Sequence, residues 1–380
     1  MLKVIDILLL LILGIPAVYY IVFALVAALK DAKKCPETGP DKSFCVLVPA
    51  YKSDSYIDDT ARHALNQNYP SDKFSVVIIA DSMKEETCTR LENAGAKVIR
   101  VSFENSSKAK SLASALETLG HAYADIAVIL DADNLIESDF LSKLNDAFCS
   151  GCKAVQAHRC AKNRDTDVAV IDAAAEEINN CIFRKGHNAA GISSALIGSG
   201  MAFTYGWLYE NISSFKTSGE DKEMELKLLK DGIWVKYLED ALVYDEKTRT
   251  KENYYNQRRR WGASQYNIIG EALKGFGQAA DKIGYADKLL QWAFPPRMIM
   301  LAGIPFWAVI ASLVKCLNAA KWWKLTIILL IALIIALPKQ HRDKKLLKAL
   351  FAVPSLAIMS LANMFRMKGT KDNFIHTDHQ

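Results

Sequence analysis

The chain has 380 residues, 51% of them hydrophobic, with 47 basic against 42 acidic side chains and a formal charge of +5. So apolar a composition excludes a disordered chain, and the length leaves room for one large domain and a second region. The basic residues gather beside apolar runs and in one Arg cluster, with no basic stripe interleaved with aromatics. Nucleic acid is therefore not an expected partner, whereas anionic lipid head groups and a phosphate-bearing substrate are. Of eight cysteines, only Cys149 and Cys152 form a C-x-x-C, with no second pair at zinc spacing, which reads as reduced thiols of a cytosolic domain.

Val4–Leu29 carries one charge, Asp6, and is long enough to cross a bilayer core. It is too long for a cleaved signal, so residues 1–30 read as a transmembrane anchor. Lys3 stands alone before it, while Lys30, Lys33 and Lys34 follow. The positive-inside tendency places the N-terminus outside and the large middle region in the cytoplasm, on the plasma (inner) membrane. Residues 31–42 are a polar linker with two prolines and a glycine.

From residue 43 to 266 short apolar runs alternate with helical stretches, which predicts an α/β domain with a mostly parallel sheet. Phe44–Val48, Val76–Ala80 and Ile126–Leu130 read as strands buried on both faces, and Lys97–Val101 as a further strand. Ser55–Gln67, Lys84–Ala94, Lys108–Leu119 and Asp139–Phe148 read as the covering helices. Asp167–Cys181 is a long helix, followed by the glycine-rich stretch Gly191–Gly200. Lys222–Lys230 is helical and stops at Asp231-Gly232; Ile233–Leu238 and Ala241–Tyr244 are two short strands; Glu252–Gln265 is helical. Residues 267–297 form interface helices, and Met298–Val314 and Leu325–Leu337 return to the membrane across 298–338. Lys339–Lys345 is a basic, cytoplasmic connector. Leu346–Met364 contains Pro354 and Asn363, and a full crossing would leave the basic tail Arg366–Lys371 outside. An interfacial or re-entrant helix in 339–380, with a cytoplasmic tail, suits the charges better.

In an open α/β sheet, ligands bind beyond the carboxyl ends of the strands, and each key strand here ends at a polar group. Asp131 and Asp133, two apart on an extended segment, point the same way and can hold Mg²⁺ or Mn²⁺ through oxygen. A solvated strand end would also account for them. Asp81 ends another strand, where it can accept hydrogen bonds from a base or ribose, or simply form a turn with Ser82. Pro49, Ala50 and Tyr51 end the first strand and could let the backbone approach a nucleotide, with Tyr51 stacking on the base. Lys108 opens a helix and is either a phosphate contact or an ordinary surface lysine. Asp221, after Gly219 and Glu220, is an N-cap or a general base. Gln257, Arg260 and Trp261 fall at i, i+3 and i+4 and share one helical face, offering an amide, a cation and an aromatic plane. Arg258 and Arg259 point elsewhere as surface charges.

In this order, Val48-Pro49-Ala50-Tyr51, Asp81, Lys108, Asp131-Ala132-Asp133, Gly219-Glu220-Asp221 and Gln257-Arg258-Arg259-Arg260-Trp261 resemble the family 2 glycosyltransferases. The Q-x-x-R-W signature looks most like the membrane-embedded branch of cellulose, chitin and hyaluronan synthases. Gly219 stands where that family often has Thr, and the membrane region is smaller than in the large synthases. The resemblance implies a GT-A fold, Rossmann-like, and an inverting hexosyltransferase using a nucleotide-sugar, a UDP-sugar. Asp131 and Asp133 would take the metal and diphosphate, and Asp81 with Pro49–Tyr51 would hold uridine. Asp221 would be the base, with Glu220 next in line. Gln257, Arg260 and Trp261 would bind diphosphate and acceptor, and Gly198, Ser199 and Gly200 would form the small-residue loop below the acceptor. The acceptor would be a growing polysaccharide, with accessory export proteins as possible partners. Single transfer to a membrane lipid is the alternative.

Overall fold

The computed structural model describes residues 1–30, 35, 39–217 and 219–366. Lys33, Lys34 and the tail residues 367–371, which entered the topology expectation, lie outside the described residues. The N-terminal helix α1 (Leu2–Leu29) precedes the α/β domain. In it follow β1 (Phe44–Tyr51), α2 (Ile57–Leu65), β2 (Phe74–Asp81), α3 (Glu85–Asn93), β3 (Lys97–Val101), α4 (Lys108–Leu119) and β4 (Ile126–Ile129). The second half has β5 (Leu135–Ile136), α5 (Phe140–Cys149), β6 (Ala154–Ala161), α6 (Asp167–Asn179), and, after a wider helical turn, α7 (His187–Ala189). Then come β7 (Met201–Thr204), α8 (Tyr205–Asn211), α9 (Glu220–Lys230), β8 (Val235–Asp245) and α10 (Lys251–Gly275).

One eight-stranded sheet runs in the order β3-β2-β1-β4-β7-β6-β8-β5. Strands β3, β2, β1 and β4 are mutually parallel, but β7 is antiparallel to both β4 and β6, and β5 to β8. The sheet is therefore mixed, and the mostly parallel expectation holds for its first half. The alternation within β1 shows why these runs are apolar throughout. Phe44, Val46 and Val48 enter the core under α2, α3 and α5, while Cys45 and Leu47 enter the opposite core with Leu112, Leu116 and Leu208. Each fully buried aliphatic side chain contributes about 1.5–3 kcal/mol, so both faces are committed.

The two strands expected at 233–244 are one long strand, β8, whose pairing with β6 shifts register between Ala157 and His158. The shift absorbs Glu239, Asp240 and Ala241, the first two being the exposed pair that breaks the apolar pattern. Helix α10 runs on past Gln265 to Gly275.

The remaining helices are α11 (Lys282–Ala293), α12 (Arg297–Leu313), α13 (Ala319–Ala336), α14 (Lys344–Ala349) and α15 (Val353–Arg366). Leu2–Leu29, Ala319–Ala336 and Lys344–Met364 are long and apolar enough to cross a membrane, and α11 and α12 form a bent pair at 63°. Leu13, Ala17 and Ala24 of α1 pack on Ile304 and Ala308 of α12 and on Leu325, Leu329 and Ala332 of α13. Ile7, Leu11, Ile15 and Val18 face outward. Asp6, the one acidic residue of α1, is buried: the indole N–H groups of Trp322 and Trp307 donate to it at 2.7 and 3.0 Å, and Lys321 pairs with it.

Candidate active site

Strands β1, β2 and β4 end along one edge of the sheet. Parallel register sets Tyr51 opposite Asp81, and pairing of β1 with β4 stops at Leu47, two residues before Pro49, which has no N–H to give. Both β1 and β2 then turn out sharply through residues of positive φ, Lys52 (50°) and Ser82 (56°). Such conformations cost non-glycine residues about 1–3 kcal/mol and cluster at ligand sites. Asp81 is 1% exposed. Its Oδ1 accepts the Ser82 hydroxyl at 3.0 Å, and its buried Oδ2 has no hydrogen-bond partner. One acceptor is thus free for an N–H or O–H of a bound molecule.

Asp131 and Asp133 do not lie on an extended segment as expected. β4 ends at Ile129, and the Asn134 N–H donates to the Asp131 carbonyl at 3.1 Å, closing a turn. The turn still keeps the carboxylates close. Lys108 pairs with Asp131 and donates to the Gly198 carbonyl at 2.6 Å, so it is no ordinary surface lysine. Burial opposes its charge, but Asp131, Glu220 and Asp221 outweigh that and raise its pKa. Ser199 Oγ accepts the Asp131 N–H at 2.9 Å and donates to Asn134 Oδ1. Gly200 closes the loop with φ +63°, where a Cβ would stand 2.9 Å from Val243 Cγ2.

Burial, and then the like charges of Asp245 and Asp131, push Asp133 up to about 8. The turn is therefore short of positive charge. Among the described residues no group of three or more His, Cys, Asp or Glu side chains is placed to hold a metal. The protein would offer Asp131 and Asp133 and leave the other positions to diphosphate and water. That donor set fits Mg²⁺ or Mn²⁺, since Mg²⁺ is commonly held by one or two carboxylates plus substrate phosphates.

Behind the turn is a buried ionic network that sequence reasoning missed. Asn134 Nδ2 donates to Asp245 at 3.1 Å, and Asp245 lies 2.7 Å from Lys247 and 3.8 Å from Arg159. Arg159, Lys247 and Arg184 converge on Glu176 at 2.9, 3.5 and 3.4 Å. Burial alone would raise Glu176, but these three cations hold it well below the usual carboxylate range. The signal was there in the charged and amide residues placed inside apolar stretches, Gln156 and Arg159 in β6 and Glu176 in α6.

Gly219, and not Asp221, occupies the cap position of α9. A Cβ on Gly219 would lie 1.8 Å from Ser264 Oγ of α10, so that hydroxyl would have to turn away to admit any larger residue here. Asp221 sits inside the first turn, partly exposed, with Oδ1 accepting the Lys222 N–H at 2.9 Å. Glu220 is 9% exposed; burial pushes it up to about 7, Lys108 opposes this, and Asp221 and Asp131 add to it.

Helix α10 starts at the Thr250 cap, whose hydroxyl accepts the Asn253 N–H. Burial lowers the pKa of Arg260, while Asp131 and Glu220 act to raise it, so this guanidinium is within electrostatic reach of both acidic motifs. Gln257 Oε1 is buried without a hydrogen-bond partner. Arg258 is no surface charge: it pairs with Asp172 and stacks 4.9 Å from the centre of Tyr254 and 4.5 Å from that of Trp261. Lys108, Asp131, Gly198, Ser199, Glu220 and Arg260 therefore form one electrostatic centre, and Tyr51 and Asp81 extend it along the sheet edge.

A mixed α/β sheet with an acidic turn beyond β4 and a second acidic pair opening α9 is an architecture of the GT-A kind. Residues 40–264 match the family described as Glycosyltransferase like family 2, and the chain belongs to that family. It is similar to the N-acetylglucosaminyltransferase of Rhizobium meliloti (strain 1021), 24% identical over 317 residues that cover 75% of this chain and 72% of the relative. It is also similar to the probable glycosyltransferase YdaM of Bacillus subtilis (strain 168), 21% identical, with 61% of this chain and 57% of that protein covered. The solved mannosyltransferase of Pyrobaculum calidifontis, in complex with GDP-Man and Mn²⁺, shares the fold with a TM-score of 0.61 at 20% identity, over 94% of this chain and 99% of that one.

Proposed function

We propose that the chain is an inverting glycosyltransferase that moves a sugar from a nucleotide-sugar to an acceptor held at the membrane surface. The observation that carries this is Lys108, which joins the acidic turn at Asp131 to the small-residue loop at Gly198. It makes the donor end and the acceptor end one rigid unit. Asp81 and the Pro49–Tyr51 edge take the base and ribose. Asp131 and Asp133 would hold a divalent ion, which when bound would supply charge neutralisation for the leaving diphosphate. Arg260 faces the same phosphates, and Gln257 and Trp261 bind the acceptor end. Asp221 takes the proton from the acceptor hydroxyl as its oxygen bonds to the anomeric carbon. The bond from that carbon to the diphosphate oxygen breaks, and the nucleoside diphosphate leaves from the opposite side.

A lipid-carried acceptor suits the membrane region better than a polymer crossing it. The space between α1, α12 and α13 is filled by apolar side chains, with Trp322 fully buried among them. Both ends of the last segment turn back to the catalytic domain: α14 lies along α6, Asp343 pairs with Arg164 at 3.1 Å, and Asn363 donates to the Tyr255 carbonyl of α10. These contacts support an interfacial last segment on the same side as the catalytic domain, and the basic flanks make that side the cytoplasmic one. In that topology the exposed Cys316, between α12 and α13, is outside, and Cys35 is inside. Labelling of Cys35 and not Cys316 by an impermeant thiol reagent in intact cells would reverse the orientation.

The test of function is nucleoside diphosphate release from a panel of UDP- and GDP-sugars by the full chain in membranes, with the product then sized. One organic-soluble glycolipid supports transfer to lipid. A polymer ladder supports the polysaccharide reading, and no turnover of any nucleotide-sugar overturns both.

A further inference from the structure

Helix α11 joins the membrane anchor to the catalytic helix through two consecutive charged residues. Lys288 is fully buried, and its Nζ lies 2.9 Å from Glu225 Oε1. Glu225, on α9, follows Asp221 by one helical turn and shares its stripe. The same Oε1 accepts the Leu196 N–H at 3.3 Å, two residues before the Gly198–Gly200 loop. Asp287 faces the other way. It accepts the Tyr19 hydroxyl of α1 at 2.6 Å and lies 3.1 Å from His187 Nε2. The His187 ring stacks on Phe23 of α1 at 4.0 Å. The joint has no slack, since a Cβ on Gly186 would sit 2.5 Å from the Phe23 carbonyl.

We propose that Lys288 is a positioning residue for glycosyl transfer, setting Asp221 and the acceptor loop at a fixed place relative to the membrane helix through Glu225. This deepens the function proposed above and rests on its assignment of Asp221 as base. The physical reason lies in what a buried ion pair does. Apolar residues of similar volume can replace such a pair at no loss, or even a gain, of stability. A lysine this deep is therefore poorly accounted for by packing. What it adds is a fixed charge: the Glu225 carboxylate is held between the Lys288 ammonium of the interface helix and the Leu196 N–H of the segment leading to the acceptor loop. Asp287 carries the same constraint on to Tyr19, so an acceptor arriving at the membrane surface meets a base already held at the right depth.

The experiment uses the full chain in lipid nanodiscs and compares wild type with Lys288→Met and with the double variant Lys288→Met/Glu225→Leu. Removing Lys288 alone leaves a buried carboxylate and can unfold the protein, so the double variant decides. The expected result is a double variant with wild-type thermal stability, a donor KM within about twofold, and a kcat lowered roughly tenfold or more, because small misplacement of a reacting group is costly. A merely structural pair predicts otherwise, and a double variant with kcat within twofold of wild type overturns the proposal. So does a double variant that fails to fold, since the pair would then be a fold determinant. Failure of the Asp221 assignment shows up separately, as activity in Asp221→Asn with Lys288 intact.

Discussion

The two halves of the sheet treat polar groups in opposite ways. In β1, β2 and β4 the strand interiors are apolar and the polar groups wait at the carboxyl ends, with Asp81 Oδ2 left without a partner. In β6 and β8 charged and amide side chains sit within the strands or at their ends, and Arg159, Asp245 and Lys247 answer one another around Glu176. The first half is therefore a surface for something that brings its own charge. The second is a scaffold that has already matched its charges and fixes the turn at Asp133 through Asn134.

If that division is right, damage to the two halves differs in kind. Asp133→Asn removes a proposed metal ligand at the open half, and such an ion is worth several kcal/mol of charge stabilisation. Glycosyl transfer at saturating Mn²⁺ should fall by roughly 10³-fold with the fold intact, at about 1.4 kcal/mol per decade. A rate near wild type would break the comparison at its strongest point. Glu176→Gln acts on the matched half and leaves three buried cations short of an anion, which costs about 3–5 kcal/mol. The expected outcome is a clear fall in thermal midpoint, with any protein that stays folded keeping its donor KM. An unchanged midpoint would mean that the network is not what holds this half.

The open half was the legible one. Lys97–Val101 and Lys108–Leu119 fall on β3 and α4, and Phe44–Val48 and Val76–Ala80 lie inside β1 and β2, the last two because a strand buried on both faces writes a continuous apolar run. The matched half is harder to read. β6 carries Gln156, His158 and Arg159 among its apolar residues, and these look like a loop until β7, β8 and α6 supply their partners. Asp131 and Asp133 were legible as residues but not as a turn, since the Asn134–Asp131 bond that closes it depends on where β4 stops. The role of Arg258 was hidden for a similar reason: Asp172, its partner, is on a different helix, 86 residues away.

A smaller effect sharpens the comparison at the boundary between the halves. Glu220, pushed up to about 7, keeps its proton in the folded chain where the unfolded chain, with Glu near 4.3, has lost it. The folded state therefore binds more protons between those values, and stability falls as pH rises from about 4.3 to about 7. Glu220→Gln has no such group to ionise. In EDTA it should match wild type near pH 4 and exceed it at pH 8 by roughly 3–4 kcal/mol. Equal pH dependence in both proteins would place the charge of Glu220 in water.

The central claim, that one site holds the donor at the strand ends while Asp221 activates the acceptor, is tested most directly in Asp221→Asn. Asn keeps the side-chain acceptor for the Lys222 N–H but cannot take up a proton at neutral pH. Donor binding, read by titration with the nucleotide-sugar, and thermal stability should both stay at wild-type values. Transfer should fall by about 10²–10⁴, the usual cost of losing a general base. An Asn variant that transfers sugar at close to the wild-type rate would contradict the account.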